Sequence, residues 1–94
     1  MDGPEIRHEG DRQRFAIDVD GHEGFVEYER DGDVLVITHT VVPPEIGGRG
    51  IAGQLVKTAL EHARAEGLKV LPRCPYTDAY MRRHPEYGDL RVSG

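Results

Sequence analysis

Apolar and polar positions change period along this chain. Residues 14–19 alternate, with Phe15, Ile17 and Val19 on one side and Arg14, Ala16 and Asp18 on the other, the period of two expected of a half-buried strand. Residues 24–30 alternate again, placing Phe25, Glu27 and Glu29 opposite Val26, Tyr28 and Arg30. Asp20-Gly21 and Asp31-Gly32 close these runs, where a tight hairpin needs residues that accept left-handed backbone. Residues 34–42 are β-branched and carry little charge, which predicts a central strand with both faces covered. Pro43-Pro44 ends it, because proline has no N–H for the ladder and a fixed φ. Before these strands, a loose start at residues 1–4 and a short edge strand over residues 5–9 are expected.

The period then lengthens. Over residues 50–66, Ile51, Leu55, Val56, Ala59, Leu60 and Ala63 recur at helical spacing, and Gly67 is placed to end the helix. Residues 69–71 read as a following strand, so residues 34–71 form a right-handed βαβ crossover. A two-turn helix is predicted over residues 75–83, opened by Pro75 and stopped before Pro85, with a turn and tail over 86–94. The order β-β-β-β-α-β-α describes an α+β domain with a mixed, mostly antiparallel sheet.

Ninety-four residues suit one small domain spanning 1–94, with little material for an enclosed pocket. The formal charge of −5 argues against nucleic acid as a partner and suits an amine-bearing one. A single cysteine leaves no internal disulfide, and no apolar run reaches membrane-span or leader length, so a cytoplasmic chain with no membrane partner is expected. A domain this small is expected to be a monomer or weak homodimer.

Between the central strand and the long helix lies a loop with glycines at 47, 48, 50 and 53. Glycine lets backbone approach a ligand closely, and the N–H groups of a helix start favour a phosphate. A flexible connector would carry the same glycines, so the flanking strand and helix must decide.

Those flanks resemble the small GCN5-related N-acetyltransferase-like proteins, reduced to little more than an acetyl-coenzyme A binding core. The family signature, Gln or Arg, two residues, Gly, one residue, Gly or Ala, falls on Gly47, Gly50 and Ala52. Its second and third positions match, whereas Gly47 stands where the family has a long polar side chain. His39-Thr-Val-Val-Pro-Pro-Glu45, Pro72-Arg-Cys-Pro-Tyr76 and His84-Pro-Glu-Tyr87 look like the short single-domain subfamily.

The resemblance implies a GNAT-like fold whose central βαβ unit binds acetyl-coenzyme A. It assigns the pyrophosphate to backbone around Gly47, Gly48, Arg49, Gly50, Ile51, Ala52 and Gly53, and the pantetheine arm to main chain near Val41 and Val42. Its implied activity is acetyl transfer to an amine acceptor, directly or through acetyl-Cys74. Cys74 precedes Pro75, so its sulfur belongs at a helix N-terminus, where the dipole lowers a thiol pKa. A lone cysteine is otherwise a small buried hydrophobe. His39 is the candidate general base or thiolate orienter, and otherwise part of a polar network at the strand end. Tyr80 is the candidate acid for the departing thiolate, and with Tyr76 is otherwise an aromatic pair packed on the sheet. The alternative is a coenzyme A-binding or interaction module with little or no catalysis. No metal is expected: Asp18, Asp20, Gly21 and Glu23 make an incomplete calcium loop, and His39, Cys74 and His84 lack paired zinc-ligand spacing.

Overall fold

The computed structural model describes residues 5–92; the expected loose start at 1–4 lies outside the described residues, as do the last two positions of the tail. Five strands lie in spatial order β1 (Arg7–Glu9), β2 (Arg14–Val19), β3 (His22–Asp31), β4 (Val34–Val41) and β5 (Lys69–Pro72). The first four pair antiparallel, and β5 joins β4 in parallel after the helix α1 (Ile51–Ala65). A second helix, α2 (Pro75–Arg83), has the bounds its proline signals imply.

Both hairpins follow from their turn residues. Asp20 and Gly21 have φ of 52° and 79°, the double left-handed conformation that matches the twist of the flanking strands. The second turn is made by Gly32-Asp33, one residue later than expected, since Asp31 pairs with Val34. Only its first position needs positive φ, and Gly32 supplies it at 60°.

The core lies between one face of the sheet and the helices. Phe15, Ile17, Val26, Tyr28, Leu35 and Ile37 cover that face, and Ile51, Leu55, Val56, Ala59, Leu60 and Ala63 of α1 pack onto it. At the end of α1, Gly67 has φ of 70°, its N–H donates to the Arg64 carbonyl at 3.3 Å, and the Leu68 N–H donates to the Ala63 carbonyl at 2.8 Å. That is a Schellman closure, sealed by buried Leu68.

The opposite face carries ions instead of helices. Arg7, Glu9, Arg14, Asp18 and Glu23 form a continuous ion-pair network there, and the Arg14 guanidinium lies 5.0 Å from the centre of the Phe25 ring. Ala16 pairs with Arg7 and Phe25 on its two sides and is buried beneath these long side chains. The expectation that both faces of the central strand are covered therefore holds only for its start. Val36 is buried, but His39 and Val41 on the same face are exposed.

The tail is also more structured than a turn. Pro85–Leu90 form a 3-10 helix whose Tyr87 and Leu90, three residues apart and so eclipsed, enter the core. Val92 N–H then donates to the Val70 carbonyl at 3.0 Å, adding a bridge at the edge of β5.

Candidate functional site

The site begins where β5 leaves β4. Their pairing runs from Val34 with Lys69 to Ile37 with Pro72 and stops. Arg73 and Cys74 both donate their backbone N–H to the Ile37 carbonyl, each at 3.0 Å, and the chain turns away into α2. β4 continues to Val41 against β3 alone, so among the described residues Thr38–Val41 present a strand edge without a partner on the β5 side.

At the same place the sheet is bulged. Glu27 pairs with His39 and Tyr28 with Ile37, so Thr38 is an extra residue in β4. Simple alternation would put Ile37, His39 and Val41 on one face. The bulge inverts the phase: Ile37 faces the helices, His39 and Val41 share the ionic face, and Thr40, opposite buried Val26, faces the helices.

This inversion decides what Cys74 meets. The residue is the N-cap of α2 with extended backbone, followed by Pro75 at the first helical position. Its Sγ lies 3.3 Å from Thr40 Oγ1. Burial pushes the thiol pKa up. Bonding to Thr40 and to the N–H groups of Thr77 and Tyr76, with the Thr77 hydroxyl close by, outweighs burial and holds it below its ordinary value. Thr77 Oγ1 is buried and has no hydrogen-bond partner among the described residues, leaving its donor free for a thiolate.

The other chemical candidates are divided by the sheet. His39 is on the far face, its side chain 69% exposed, with Nδ1 3.5 Å from Glu27 Oε1. Tyr80 lies on the helix side with Cys74, stacked on His84 at 3.9 Å and 6.5 Å from Tyr76 between ring centres. Burial raises the Tyr80 pKa, with Glu86 adding to it, so its phenol keeps its proton. The structure thus brings Tyr80 and Cys74 to one helix and leaves His39 on the other side of β4. Thr40 and Thr77 were not singled out by sequence. The available signal was the change from Val-Leu-Val-Ile to Thr-His-Thr at residue 38.

The glycine loop adjoins this edge. Gly50 is the N-cap of α1 at φ 75°, with no side chain capping the helix, so the N–H groups of Ile51, Ala52 and Gly53 lack intrahelical partners. Gly48 has φ of 78°, and a Cβ added at Gly48 or Gly50 would meet nothing within 4 Å. The backbone there is open to a ligand. Gly47 has φ of −69°, so the backbone at this position does not require glycine. Gly53 is closely packed: a Cβ there would come to 3.4 Å from the Tyr76 hydroxyl. Arg49 is turned to the β2–β3 hairpin, its Nη1 2.8 Å from Asp20. Val41 is 42% exposed, whereas Val42 packs against the core.

Among the described residues, no group of three or more His, Cys, Asp and Glu side chains is placed to hold a metal ion, and no helix is long and apolar enough to cross a membrane.

Comparison with known proteins converges on one family. The profile of the GCN5-related N-acetyl-transferases matches residues 14–90. The chain is 41% identical over 88 residues to the mouse protein NATD1, covering 88% of this chain and 80% of that one. The human protein NATD1 is 36% identical over 83 residues, covering 85% and 74%. A solution structure of a GCN5-like protein from Staphylococcus aureus superposes with a TM-score of 0.77 at 28% identity, covering 100% of this chain and 93% of that one.

Proposed function

Because the chain belongs to the GCN5-related N-acetyltransferase family, we propose that it takes acetyl groups from acetyl-coenzyme A and passes them to an amine, with Cys74 as a way station. The observation that carries this reading is the Cys74 thiol, lowered in pKa and held by Thr40 at the strand edge that β5 vacates.

The donor fits what this backbone offers. Uncapped N–H groups at the start of α1, with Gly48 and Gly50 clearing the approach, suit a pyrophosphate, and the unpaired edge through Val41 suits an amide-bearing arm. When bound, acetyl-coenzyme A supplies an activated thioester. Arg49 reaches a phosphate only by giving up Asp20.

Each side chain then has a defined task. Thr40, the N–H groups of Tyr76 and Thr77, and the Thr77 hydroxyl stabilise the Cys74 thiolate as nucleophile. The same N–H groups, at the positive end of α2, favour negative charge developing on a nearby carbonyl oxygen. Tyr80, kept protonated, is the acid for the leaving thiolate, and His39 takes the proton of the incoming amine. A lone thiol suits the reducing cytoplasm, and a single domain spanning residues 1–94 works as a monomer or weak homodimer.

Mass spectrometry after incubation with acetyl-coenzyme A should find one added acetyl group, lost in Cys74→Ala. Calorimetry should find coenzyme A binding, lost in Gly50→Glu. Binding without acetyl-enzyme or turnover would make the chain a coenzyme-binding module; no binding would end the reading.

A further inference from the structure

The ionic face of the sheet carries a hollow at the bulge that donor binding does not use. It has a volume of about 270 Å³ and a lining that includes Arg12, Gln13, Glu27, Glu29, Thr38 and His39. Its charged lining is two carboxylates against one guanidinium. The guanidinium is engaged elsewhere, with Arg12 Nη1 3.7 Å from Glu9. The hollow therefore favours a cation. It sits where Thr38 interrupts the ladder, on the reverse side of the strand from Thr40, two residues on, which touches Cys74. Beyond Ile37, the edge of β4 that β5 leaves unpaired is the way round from one face to the other.

We propose that this hollow receives the amine acceptor, and that Glu27 is the positioning residue for His39. Resting on the acetyl-transfer reading above, the inference adds where the acceptor sits and which side chains govern it. Glu27 Oε1 faces His39 Nδ1 at 3.5 Å, so a small closure makes Nδ1–H the donor to the carboxylate. That fixes the tautomer and leaves Nε2 with the free lone pair. Glu29, beside them, receives the amine as a cation, which gives its first proton to solvent and reacts as the neutral amine.

In the transfer step the neutral amine passes round the unpartnered edge of β4 to acetyl-Cys74, and Nε2 of His39 takes its proton. The nitrogen lone pair attacks the acetyl carbon of the thioester, the C–N bond forms, the C–S bond breaks, and the Cys74 sulfur leaves as thiolate with its electron pair. Thr40 and Thr77 receive that thiolate, and the amide is released on the ionic face. Donor and acceptor thus work from opposite faces of one strand.

The test uses the intact chain with propane-1,3-diamine as the probe. Backbone amide NMR should show shifts centred on Gln13, Glu27, Thr38 and His39. Glu29→Gln should weaken diamine binding several-fold and raise KM while leaving kcat. Preformed acetyl-enzyme should lose its acetyl to the diamine more slowly by on the order of 100-fold in His39→Gln. Glu27→Gln should slow it less, and the double variant should be no slower than His39→Gln alone, because Glu27 acts through the histidine. All three positions are at the surface, and thermal melts confirm that the variants fold. Diamine shifts elsewhere on the molecule, or wild-type chase rates in Glu27→Gln and His39→Gln, would overturn the proposal. Failure of the acetyl-transfer reading is seen separately, as absence of coenzyme A binding and acetyl-enzyme, while the shift map still reports whether the hollow takes an amine.

Discussion

At the scale of single residues, Cys74 is the most testable position. Its pKa is lowered although burial acts against it, so the pH profile of alkylation by iodoacetamide should have its midpoint below the ordinary value of 9.0. Thr40→Val removes one stabiliser of the thiolate and should move that midpoint up, and Thr77→Val should do the same to a smaller degree. An unshifted profile in Thr40→Val would show that the hydrogen bond does not reach the thiolate. Cys74 as an N-cap was legible from Pro75 alone, because proline is favoured at the first helical position. Its partner was not, since a 3.3 Å contact between residues 34 positions apart depends on the bulge, and bulges leave little trace in hydrophobic period.

At the scale of elements, legibility followed periodicity. The helix α1, with six buried apolar positions on one stripe, and α2, bracketed by prolines, were readable to within a residue or two. The 3-10 segment was not, because two apolar residues make no period, yet Tyr87 and Leu90 close the core beneath it. Tyr87 also donates its hydroxyl to Glu61 on α1 at 2.5 Å, and Arg64 Nη2 donates to the Glu86 carbonyl at 2.8 Å. The segment is therefore a clamp on α1. Leu90→Ala should cost about 2–5 kcal/mol in urea denaturation. A loss under about 0.5 kcal/mol, typical of surface substitutions, would show that the tail is dispensable.

At the scale of the whole molecule, the titrating groups set a pH range for stability. His8 stacks on Phe15 at 4.3 Å and lies 2.6 Å from the Tyr28 hydroxyl; burial first, then the nearby His62, lower its pKa, with Glu66 opposing. The unfolded chain then binds the proton more readily, so stability falls as pH drops below 6.5. Glu9, lowered chiefly by its bond to Arg14, and Asp89, lowered chiefly by Arg64, extend the loss below 4.5 and 3.8. On the alkaline side, burial and then the bond to Glu61 push Tyr87 to about 12. The folded state keeps that proton, and stability is lost as pH rises from 10.0 towards 12. Thermal melts across pH should give a broad maximum between these limits, with Cys74 adding a slight upward slope towards 9.0. His8→Phe should flatten the fall near pH 6; an unchanged fall would assign it to other groups.

The departure of β5 from β4 after Ile37 has a consequence for the order of events. A narrow single-mouthed active site forces reactants to queue, since the spent carrier must leave before the next molecule enters. A partition one strand thick, open along one edge, removes the queue. On the proposed acetyl-transfer reading, spent coenzyme should therefore inhibit noncompetitively with respect to the amine in initial-rate measurements, and purely competitive inhibition would mean that both reach the reaction through the same doorway.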